Sequence, residues 1–596
     1  MKLKSFGIAT AIGAILLGAA SCINVNEGLG SNFIPTEQIW NVYPCEPEVL
    51  ENITMDLSDS LSGYSSSRIT FGSVKEGEFL SNNSSSFTLV PLNDTLDFGD
   101  DTEILQFHLT AVRDTVSVIN KAQLRMLQNF YVHPLKKPLD STILYTGTFY
   151  DKKNIEDYID MNRIITEGIP VYNGGDSLSF DFSREYAAEL ISGIKRWQEK
   201  YKEERTDSLS YYLKEVPGIY IRTEEQTEDG GRINMFELPI STSDGYIDGN
   251  YAELKIRAKY DGRQTDTLFV FIFGPAEFMT SEDTQYQSQL ALNASTNLEK
   301  ADFIENWNNG DKTKLYVEGG SGYKPVVKAS EIRELAYKMI TKEAPEDDID
   351  NIVINKATII LPYDQSNYDL LDRYPMVLSP TVRLKSSDGK YVTYAGLTDS
   401  SIESENHGEI NRSLSMYSPD VSHHVQEIVK LKRGVGEDVD PNETEAQFAK
   451  RLEKYDIWFL ILYEEVVESS SSSSSYNDYY NNLLYNSYYN NMMYDPYGYG
   501  YGYGGYGYGY GGYGYGGYGG YGGYGGYGYN NYYNYLMMAQ YASAANSSST
   551  QTSTNTELDK DRFYNAALNG PGAGGNDIEQ KPRLKITFST PKKAEE

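Results

Sequence analysis

Four short motifs occur twice in the same order along this chain, and this repetition constrains the fold more than any other feature. Ile119-Asn120-Lys121-Ala122 returns as Ile354-Asn355-Lys356-Ala357. After each copy come an acidic turn, an apolar strand and an alternating strand: Asp181-Phe182-Ser183 or Asp420-Val421-Ser422, residues 218–221 or 458–461, and residues 253–256 or 583–586. Because four matches in one order rarely arise by chance, we expect two copies of one domain.

Both copies contain short apolar runs rich in β-branched and aromatic residues, such as Ile69-Thr70-Phe71 and residues 267–273. Clusters of Asp, Ser, Asn and Gly separate these runs, a pattern typical of β-sandwiches and barrels. We therefore expect a mainly β protein with two tandem jelly-roll-like β-sandwich domains and short helices. The clearest helix is predicted over residues 185–204, with Ser183 as its N-cap.

Composition and the repeat together divide the chain into five parts. The expected boundaries are 1–22 for a signal peptide, 23–63 for a tether partly packed on the first domain, 64–280 for the first sandwich, 281–468 with 576–596 for the second, and 469–575 for an insertion. The insertion contains a serine run and a Tyr/Gly/Asn-rich tract. It separates two strands that lie close together in the first copy, so we expect a loop expanded between neighbouring strands. Its lack of aliphatic residues predicts disorder.

The N-terminus has the features of an export signal. A short basic start, Met1-Lys2-Leu3-Lys4, precedes an uncharged apolar run over residues 6–20, which is too short to span a bilayer comfortably. Small residues lead directly into Cys22, which resembles a bacterial lipoprotein signal. We expect Cys22 to carry lipid and to hold the protein on a membrane. The alternatives are a soluble secreted protein and an uncleaved anchor. Lipidation would leave Cys45 without a disulfide partner.

The formal net charge of −32 limits the partners. With 84 acidic against 52 basic residues, the surface repels phosphate backbones and anionic headgroups. We therefore expect no nucleic-acid binding.

No motif of established chemistry is recognisable. We interpret the acidic turns as helix caps rather than metal ligands, and adjacent His423 and His424 do not form the i, i+4 pair that grips zinc. The loop at residues 319–322 lacks the lysine and hydroxyl of a P-loop, which favours a plain turn. We expect no catalytic residue, no metal and no cofactor. A glycan-directed hydrolase with carboxylates at a domain interface is the alternative, with Glu464-Glu465 among the abundant acids.

The Tyr/Gly-rich tract is the most distinctive candidate binding surface. Tyrosines spaced by one or two glycines, as in Tyr499-Gly500-Tyr501, offer rings that stack on sugars, on each other and on apolar protein patches. This favours an adhesive or self-associating loop; the alternative is a solvated low-complexity expansion without a partner.

Seven Asp-Ser or Asp-Thr pairs precede an apolar residue or threonine. They resemble the O-glycosylation sequon of exported proteins in Bacteroides-type bacteria, and the alternative is that they mark turns entering strands. The hydroxyl residues of these pairs are Ser60, Thr95, Thr115, Ser141, Ser177, Ser208 and Thr267.

Several motifs together indicate a family. The lipoprotein signal, Leu29-Gly30-Ser31-Asn32, residues 315–322 and Ile354-Asn355-Lys356-Ala357 resemble the Bacteroidota lipoproteins catalogued as domain of unknown function 4270. This resemblance implies an outer-membrane lipoprotein, on the periplasmic face or the cell surface, with no assigned activity and no functional residues to transfer. We expect a lipid-anchored envelope protein with a non-enzymatic binding or structural role, whose partner is a glycan or an envelope protein.

Overall fold

The structure is a computed structural model of the chain. It describes residues 40–57, 61, 63–65, 68–92, 96–114, 126–138, 147, 150, 155–204, 208–237, 240–243, 246–274, 291–295, 299–345, 347, 349–364, 374–385, 391–401, 405–436, 439–469, 551–559 and 564–592.

The strands within these ranges are β1 (Trp40–Pro44), β2 (Glu48–Val49), β3 (Thr54–Leu57), β4 (Tyr64–Ser65), β5 (Arg68–Glu76), β6 (Phe79–Pro91), β7 (Asp100–Val112), β8 (Gln128–Pro134), β9 (Val171–Tyr172), β10 (Ser177–Asp181), β11 (Ile219–Thr223), β12 (Gly230–Glu237), β13 (Ile240–Ser243), β14 (Tyr246–Gly249), β15 (Tyr251–Tyr260), β16 (Arg263–Gly274), β17 (Ala291–Ser295), β18 (Lys314–Glu318), β19 (Tyr323–Val327), β20 (Val353–Pro362), β21 (Val377–Lys385), β22 (Tyr391–Gly396), β23 (Ile410–Asn411), β24 (Met416–Tyr417), β25 (Ile457–Ser469), β26 (Gln551–Leu558), β27 (Asn565–Asn569) and β28 (Arg583–Pro591). The α-helices are α1 (Ile155–Tyr158), α2 (Arg184–Glu204), α3 (Ser208–Glu215), α4 (Glu299–Asn309), α5 (Ala329–Glu343), α6 (Ser422–Lys430) and α7 (Glu445–Leu452). Short 3₁₀ turns occur at Ile349–Asn351, Thr398–Ser401, Glu453–Tyr455 and Ile578–Gln580.

The expected fold class is confirmed: the protein is mainly β, with several antiparallel sheets and a few helices. Each domain has its own apolar core. In the first, aromatic residues of β7, β10 and β16 pack with the inner face of α2. In the second, apolar residues of β20, β25 and β28 pack with α5 and α6. Alternation of buried and exposed residues along β15 and β28 directs one face of each strand to its core.

The two domains share their strand pairing, which supports the duplication. In the first domain β7 pairs with β15, β8 and β6 pair with β11, and β5 pairs with β12. In the second domain β20 pairs with β28, β21 and β19 pair with β25, and β18 pairs with β27. All these pairs are antiparallel and occur in the same chain order, so the two domains have one architecture.

The structural counterpart of the 354–357 motif differs from the one that the sequence suggests. Ile119-Asn120-Lys121-Ala122 lies outside the described residues. The place of Ile354 and Ala357 in the second domain is held in the first by Ile104 and Phe107, because β7 and β20 each have one bulged residue there, Leu105 and Asn355. The strand pairing therefore makes residues 104–107 the counterpart of residues 354–357. The predicted correspondence between residues 119–122 and 354–357 is wrong.

The closing alternating strands also differ from the sequence alignment, by two residues. Leu254 lies opposite Phe107, and Ile586 lies opposite Ala357, so Leu254 corresponds to Ile586 and not to Leu584. A shift of two keeps every side chain on its original face because the strand period is two. The alternating pattern was therefore recognisable, although its register was not.

The N-terminal strands belong to the second domain, which corrects the expected tether of residues 23–63. β1 and β2 pair with β28, and β3 pairs with β19. Leu50, Ile53 and Met55 are buried in the core of the second domain. The physical reason is that β28 and β19 would otherwise expose a sheet edge and apolar side chains. The first domain is thus inserted between β3 and α4 of the second.

Two other boundaries also move. β17, expected in the second domain, pairs with β4 and β6 of the first, so the first domain extends to residue 295. The expected insertion of residues 469–575 contains β26 and β27, and buried Ala566 and Leu568 join β27 to the core of the second domain. Residues 470–550, on which the expectation of disorder rests, lie outside the described part.

Candidate functional site

A tight loop joins β18 to β19 where the two domains meet. Gly320 has a φ of +56°, a conformation that favours glycine. A Cβ on Gly319 would lie 2.2 Å from Asp559 Oδ2, and one on Gly322 would lie 2.4 Å from Glu318 Oε2. Side chains of the same domain therefore fill the space around the loop, and glycine is needed there for packing.

The side chain of Lys324, on β19, reaches back to this loop and is almost completely buried. Its Nζ donates to the carbonyl oxygens of Glu318, of Gly320 at 3.1 Å and of Gly322 at 3.3 Å. An ammonium has three hydrogens, so the three carbonyls match it. Burial, the largest cause, lowers the pKa of Lys324 to about 7, while the Glu318 carboxylate acts in the opposite direction. A phosphate-binding loop presents N–H groups to its ligand, whereas this loop presents carbonyl oxygens to a lysine. This arrangement agrees with the interpretation of the loop as a plain turn.

A buried ion pair adjoins the loop and links the two domains. Lys300 Nζ lies 2.5 Å from Glu318 Oε2, and both side chains are 3% exposed. Ser81, on β6 of the first domain, donates to Glu318 Oε1 and accepts from Lys300 at 3.2 Å. The Tyr323 ring lies 5.4 Å from Lys300 Nζ. These charges are paired with each other and hydrogen-bonded, so the cluster links β6 of the first domain to α4 and β18 of the second without an unpaired buried charge.

The aspartate of the acidic turn in the first domain, Asp181, contacts side chains on the neighbouring strand β7. Asp181 Oδ1 accepts from Gln106 Nε2 at 2.9 Å and lies 2.8 Å from His108 Nδ1. Both partners are on β7, two residues apart, and therefore project from one face of the strand. Asp181 thus connects β10 to β7 through side chains and does not cap α2.

Asp420 does the same in the second domain. Its Oδ1 accepts from Thr358 Oγ1 at 3.0 Å, and its Oδ2 lies 3.3 Å from Lys356 Nζ. Lys356 and Thr358 stand on β20 where Gln106 and His108 stand on β7. Both domains therefore have an aspartate that contacts two side chains at equivalent strand positions, although the residues at those positions differ. Helix capping, the predicted role of the acidic turns, is wrong for both aspartates.

The serines of the turns have different roles in the two domains. Ser183 Oγ accepts the backbone N–H of Tyr186 at 3.2 Å, so the predicted cap of α2 is confirmed. Ser422 is already inside α6, and its Oγ accepts the backbone N–H of Ala357 at 2.9 Å. The serine of the motif therefore caps a helix in the first domain and accepts a hydrogen bond from a strand in the second.

Asp399 caps the N-terminus of α6, a role that was not predicted from the sequence. Its carboxylate accepts the backbone N–H groups of His423 at 2.7 Å and His424 at 3.2 Å, at the positive end of the helix. His424 is buried with Nε2 2.8 Å from Tyr455 O, and burial lowers its pKa. In the described residues no group of three or more His, Cys, Asp or Glu is placed to hold a metal ion.

Glu405 is a half-buried carboxyl close to this cap. Its pKa is raised, first by burial and then by the carboxylates of Asp399 and Asp420, while His423 and Lys356 act in the opposite direction. Its Oε2 has no hydrogen-bond partner among the described residues. A carboxyl with a raised pKa beside other carboxylates is a feature of general acids and also of structural clusters.

β25 and β26 extend beyond the sheet as a two-stranded hairpin, which we call the stem. It runs from the pair Leu462–Leu558 to the pair Ser469–Gln551 and is about 24 Å long at roughly 3.4 Å per residue. The corresponding strand of the first domain, β11, has 5 residues against 13 in β25. Ser469 and Gln551, which flank residues 470–550, are paired at the end of the stem. The strands that the sequence suggested as neighbours on either side of the insertion, β25 and β28, lie in different sheets, so that pairing is wrong and the neighbour of β25 is β26.

The predicted modification sites are placed only in part. Ser177 is exposed at the start of β10, Thr267 is half-buried in β16, and Ser208 begins α3.

Cys45 is a free, buried thiol, and burial raises its pKa to about 11, so it is protonated at neutral pH. The following predicted sites lie outside the described residues: Cys22, Ser60, Thr95, Thr115 and Ser141.

Comparison with known proteins found no match among family models, curated proteins or solved structures. Within the described ranges, no helix has the length and the apolar character needed to cross a membrane.

Proposed function

We propose that this chain is a lipid-anchored cell-envelope protein with a non-enzymatic binding or structural role, whose partner is a glycan or another envelope protein. The observation that carries the proposal is the stem. Its last pair, Ser469 and Gln551, flanks residues 470–550, while the core of the second domain is made by residues from other segments. A large segment attached in this way is suited to a function that the sandwich itself does not perform.

The chemistry of that segment supports a binding role. Between residues 469 and 555 the only charged residues are Asp478 and Asp495, in a chain whose formal net charge is −32. A partner therefore meets little charge repulsion there, and closely spaced tyrosines offer flat apolar rings with a hydroxyl at the edge. Such rings stack on sugar faces and on other aromatic groups.

The internal clusters support a non-enzymatic role. The ammonium of Lys324 is matched by three carbonyls, and the Lys300–Glu318 pair is matched internally and by Ser81. These charged groups are committed to loop and interface contacts, so they are not poised to act on a substrate.

The proposed lipid anchor would lie near the domain that carries the stem. β1 begins at Trp40, so residues 23–39 would form the tether from Cys22, with a maximum reach of about 60 Å. The resemblance to Bacteroidota lipoproteins supports this location in the outer membrane.

Deletion of residues 470–550, which include the Tyr/Gly-rich tract, tests the binding role. Residues 470–550 are replaced by Asn-Gly, which joins Ser469 to Gln551 by a two-residue hairpin turn. We expect binding to isolated envelope glycans or envelope proteins, or self-association, to be lost while the melting temperature stays the same or rises. A control variant keeps the full length and replaces the tract tyrosines with serine; it should also lose binding. Unchanged binding in both variants would exclude the tract as the binding surface.

Cys22→Ala tests the anchor. We expect the protein to move from the membrane fraction to the soluble fraction of the producing cell, because the acyl chains are its proposed hold on the membrane. Recovery of the variant in the membrane fraction at the wild-type level would contradict lipidation at this residue.

A glycan-directed hydrolase using carboxylates at a domain interface is the second candidate. The observation that favours carboxylate chemistry is the raised pKa of Glu405, although this residue lies beside Asp399 and Asp420 within the second domain. If Glu405 is a general acid, Glu405→Gln removes hydrolysis of envelope glycans without a change in binding. Equal turnover, or none in either protein, would reject this candidate.

A further inference from the structure

The last sheet positions of the two domains are filled from opposite ends of the chain. In the first domain, β16 lies beside β15, and β17 lies beside β6. In the second domain the same places beside β28 and β19 are taken by β1 and β3. β16 follows β15 through the turn Asp261-Gly262 and is held in place by it. In contrast, no short turn joins β1 to its partner β28, because the two strands lie near opposite ends of the described chain.

The segment from β1 to β3, residues 40–57, is bound to the second domain like a ligand. Backbone N–H groups of Cys45 and Leu50 donate to β28 and to its preceding residue, at 2.9 and 3.0 Å. Glu331 Oε1 on α5 accepts from the backbone N–H of Asn52 at 2.8 Å. Met55 exchanges two hydrogen bonds with the side-chain amide of Asn308 on α4. Each of these partners lies on the second domain.

Beyond residue 57 this segment continues only through residues 58–63, which lead to β4 of the first domain. Six residues span at most about 20 Å. A short connection between a docked segment and the rest of the chain favours exchange of that segment between copies. The surfaces of β28, α4 and α5 that hold residues 40–57 are also present in a second copy, so the exchanged segment can make the same contacts there.

We propose that residues 40–57 are an exchangeable segment that can complete the second domain of a second copy of this chain, giving a reciprocal strand-swapped dimer. Closure within one chain has the advantage of a high effective concentration, so the closed monomer prevails in dilute solution. The dimer is favoured where copies are concentrated, as on a membrane surface. This inference does not depend on the ligand of the tract.

A disulfide trap tests the exchange. Val42 and Ser589 lie opposite each other in the β1–β28 ladder, within the Cα separation that a disulfide spans. One full-length chain carries Val42→Cys and another carries Ser589→Cys, both with Cys22→Ser and Cys45→Ala to remove the natural thiols. When the two are mixed and oxidised, we expect a disulfide-linked heterodimer. Its ratio to monomer should rise about tenfold for each tenfold rise in protein concentration, because exchange is bimolecular.

Two controls make the result decisive. A single chain with both Val42→Cys and Ser589→Cys should form an internal disulfide, which verifies the geometry. A mixture of Lys255→Cys and Leu268→Cys chains, which are opposite on β15 and β16, should give no heterodimer because the short turn prevents exchange. An internal disulfide in the double variant without a heterodimer in the first mixture overturns the proposal, as does failure of the double variant to form its disulfide.

Discussion

Trp40 lies directly opposite Pro591, so β1 and β28, the first and last described strands, are neighbours in one antiparallel sheet. The second domain is therefore built from both ends of the described chain, with the first domain inserted between them. The stability of the C-terminal half depends on residues near the N-terminus. This dependence can be measured residue by residue.

Ile53→Ala should destabilise the second domain and leave the first unaffected. Ile53 is fully buried in the core of the second domain, and removal of its side chain costs about 2–5 kcal/mol. Hydrogen exchange followed by mass spectrometry should find faster exchange in β19, β25 and β28. Val42→Ala, at a position 60% exposed, is the matched control and should change stability by less than about 0.5 kcal/mol. Faster exchange in β7 and β15 instead would contradict the assignment of Ile53 to the second domain.

Glu318→Gln should weaken the interface between the domains. The change leaves the Lys300 ammonium buried without its carboxylate, which costs about 3–5 kcal/mol. Urea unfolding measures the loss. The double variant Lys300→Met with Glu318→Gln removes the unmatched charge and should recover part of it. If the single variant is as stable as wild type, the ion pair is not buried in solution.

Lys324 should make stability rise with pH above neutrality. Its pKa is about 7 when folded and 10.5 when unfolded, so between these values the unfolded chain binds a proton that the folded chain lacks. The free energy of unfolding then rises by up to about 1.4 kcal/mol per pH unit, and Lys324 adds no slope below pH 7. Urea unfolding from pH 7 to 9.5 should detect the rise, and Lys324→Met should abolish it. Lys585→Met, at an exposed position, is the control and should retain it.

The sequence predicted architecture wherever a local pattern determined it. The mainly β class, the duplication, the helix capped by Ser183 and the insertion before the last strand all follow from periodicity, turn residues and order. These features depend on neighbours in the chain or on one repeated order. They can therefore be read without knowledge of distant contacts.

Features determined by distant contacts were not predictable in the same way. Residues 81–86, Ser-Asn-Asn-Ser-Ser-Ser, have a composition typical of turns, yet they are buried in the middle of β6. Several of their polar groups find partners far along the chain: Ser85 Oγ donates to Asn293 Oδ1 at 2.7 Å, and Ser86 Oγ donates to Tyr150 Oη at 2.8 Å. The pairing of β1 with β28 is of the same kind, because no local signal relates the two ends.

Asp399 and Ser183 cap corresponding helices from different places in the chain. Asp399 reaches α6 from a separate 3₁₀ turn and accepts two backbone N–H groups, while Ser183 caps α2 from the adjoining residue and accepts one. Ser183→Ala should cost about 1 kcal/mol. Asp399→Ala leaves one buried donor, one part-buried donor and the helix dipole unmatched and should cost about 2–4 kcal/mol.

Asp399→Asn keeps one acceptor oxygen and should lie between wild type and Asp399→Ala. Thermal or urea unfolding of the three variants gives the order. Equal losses for Asp399→Ala and Ser183→Ala would mean that the second N–H bond and the charge of Asp399 add nothing to the cap. The order expected here would show that a duplicated helix can keep its place in the fold while its cap moves to another part of the chain.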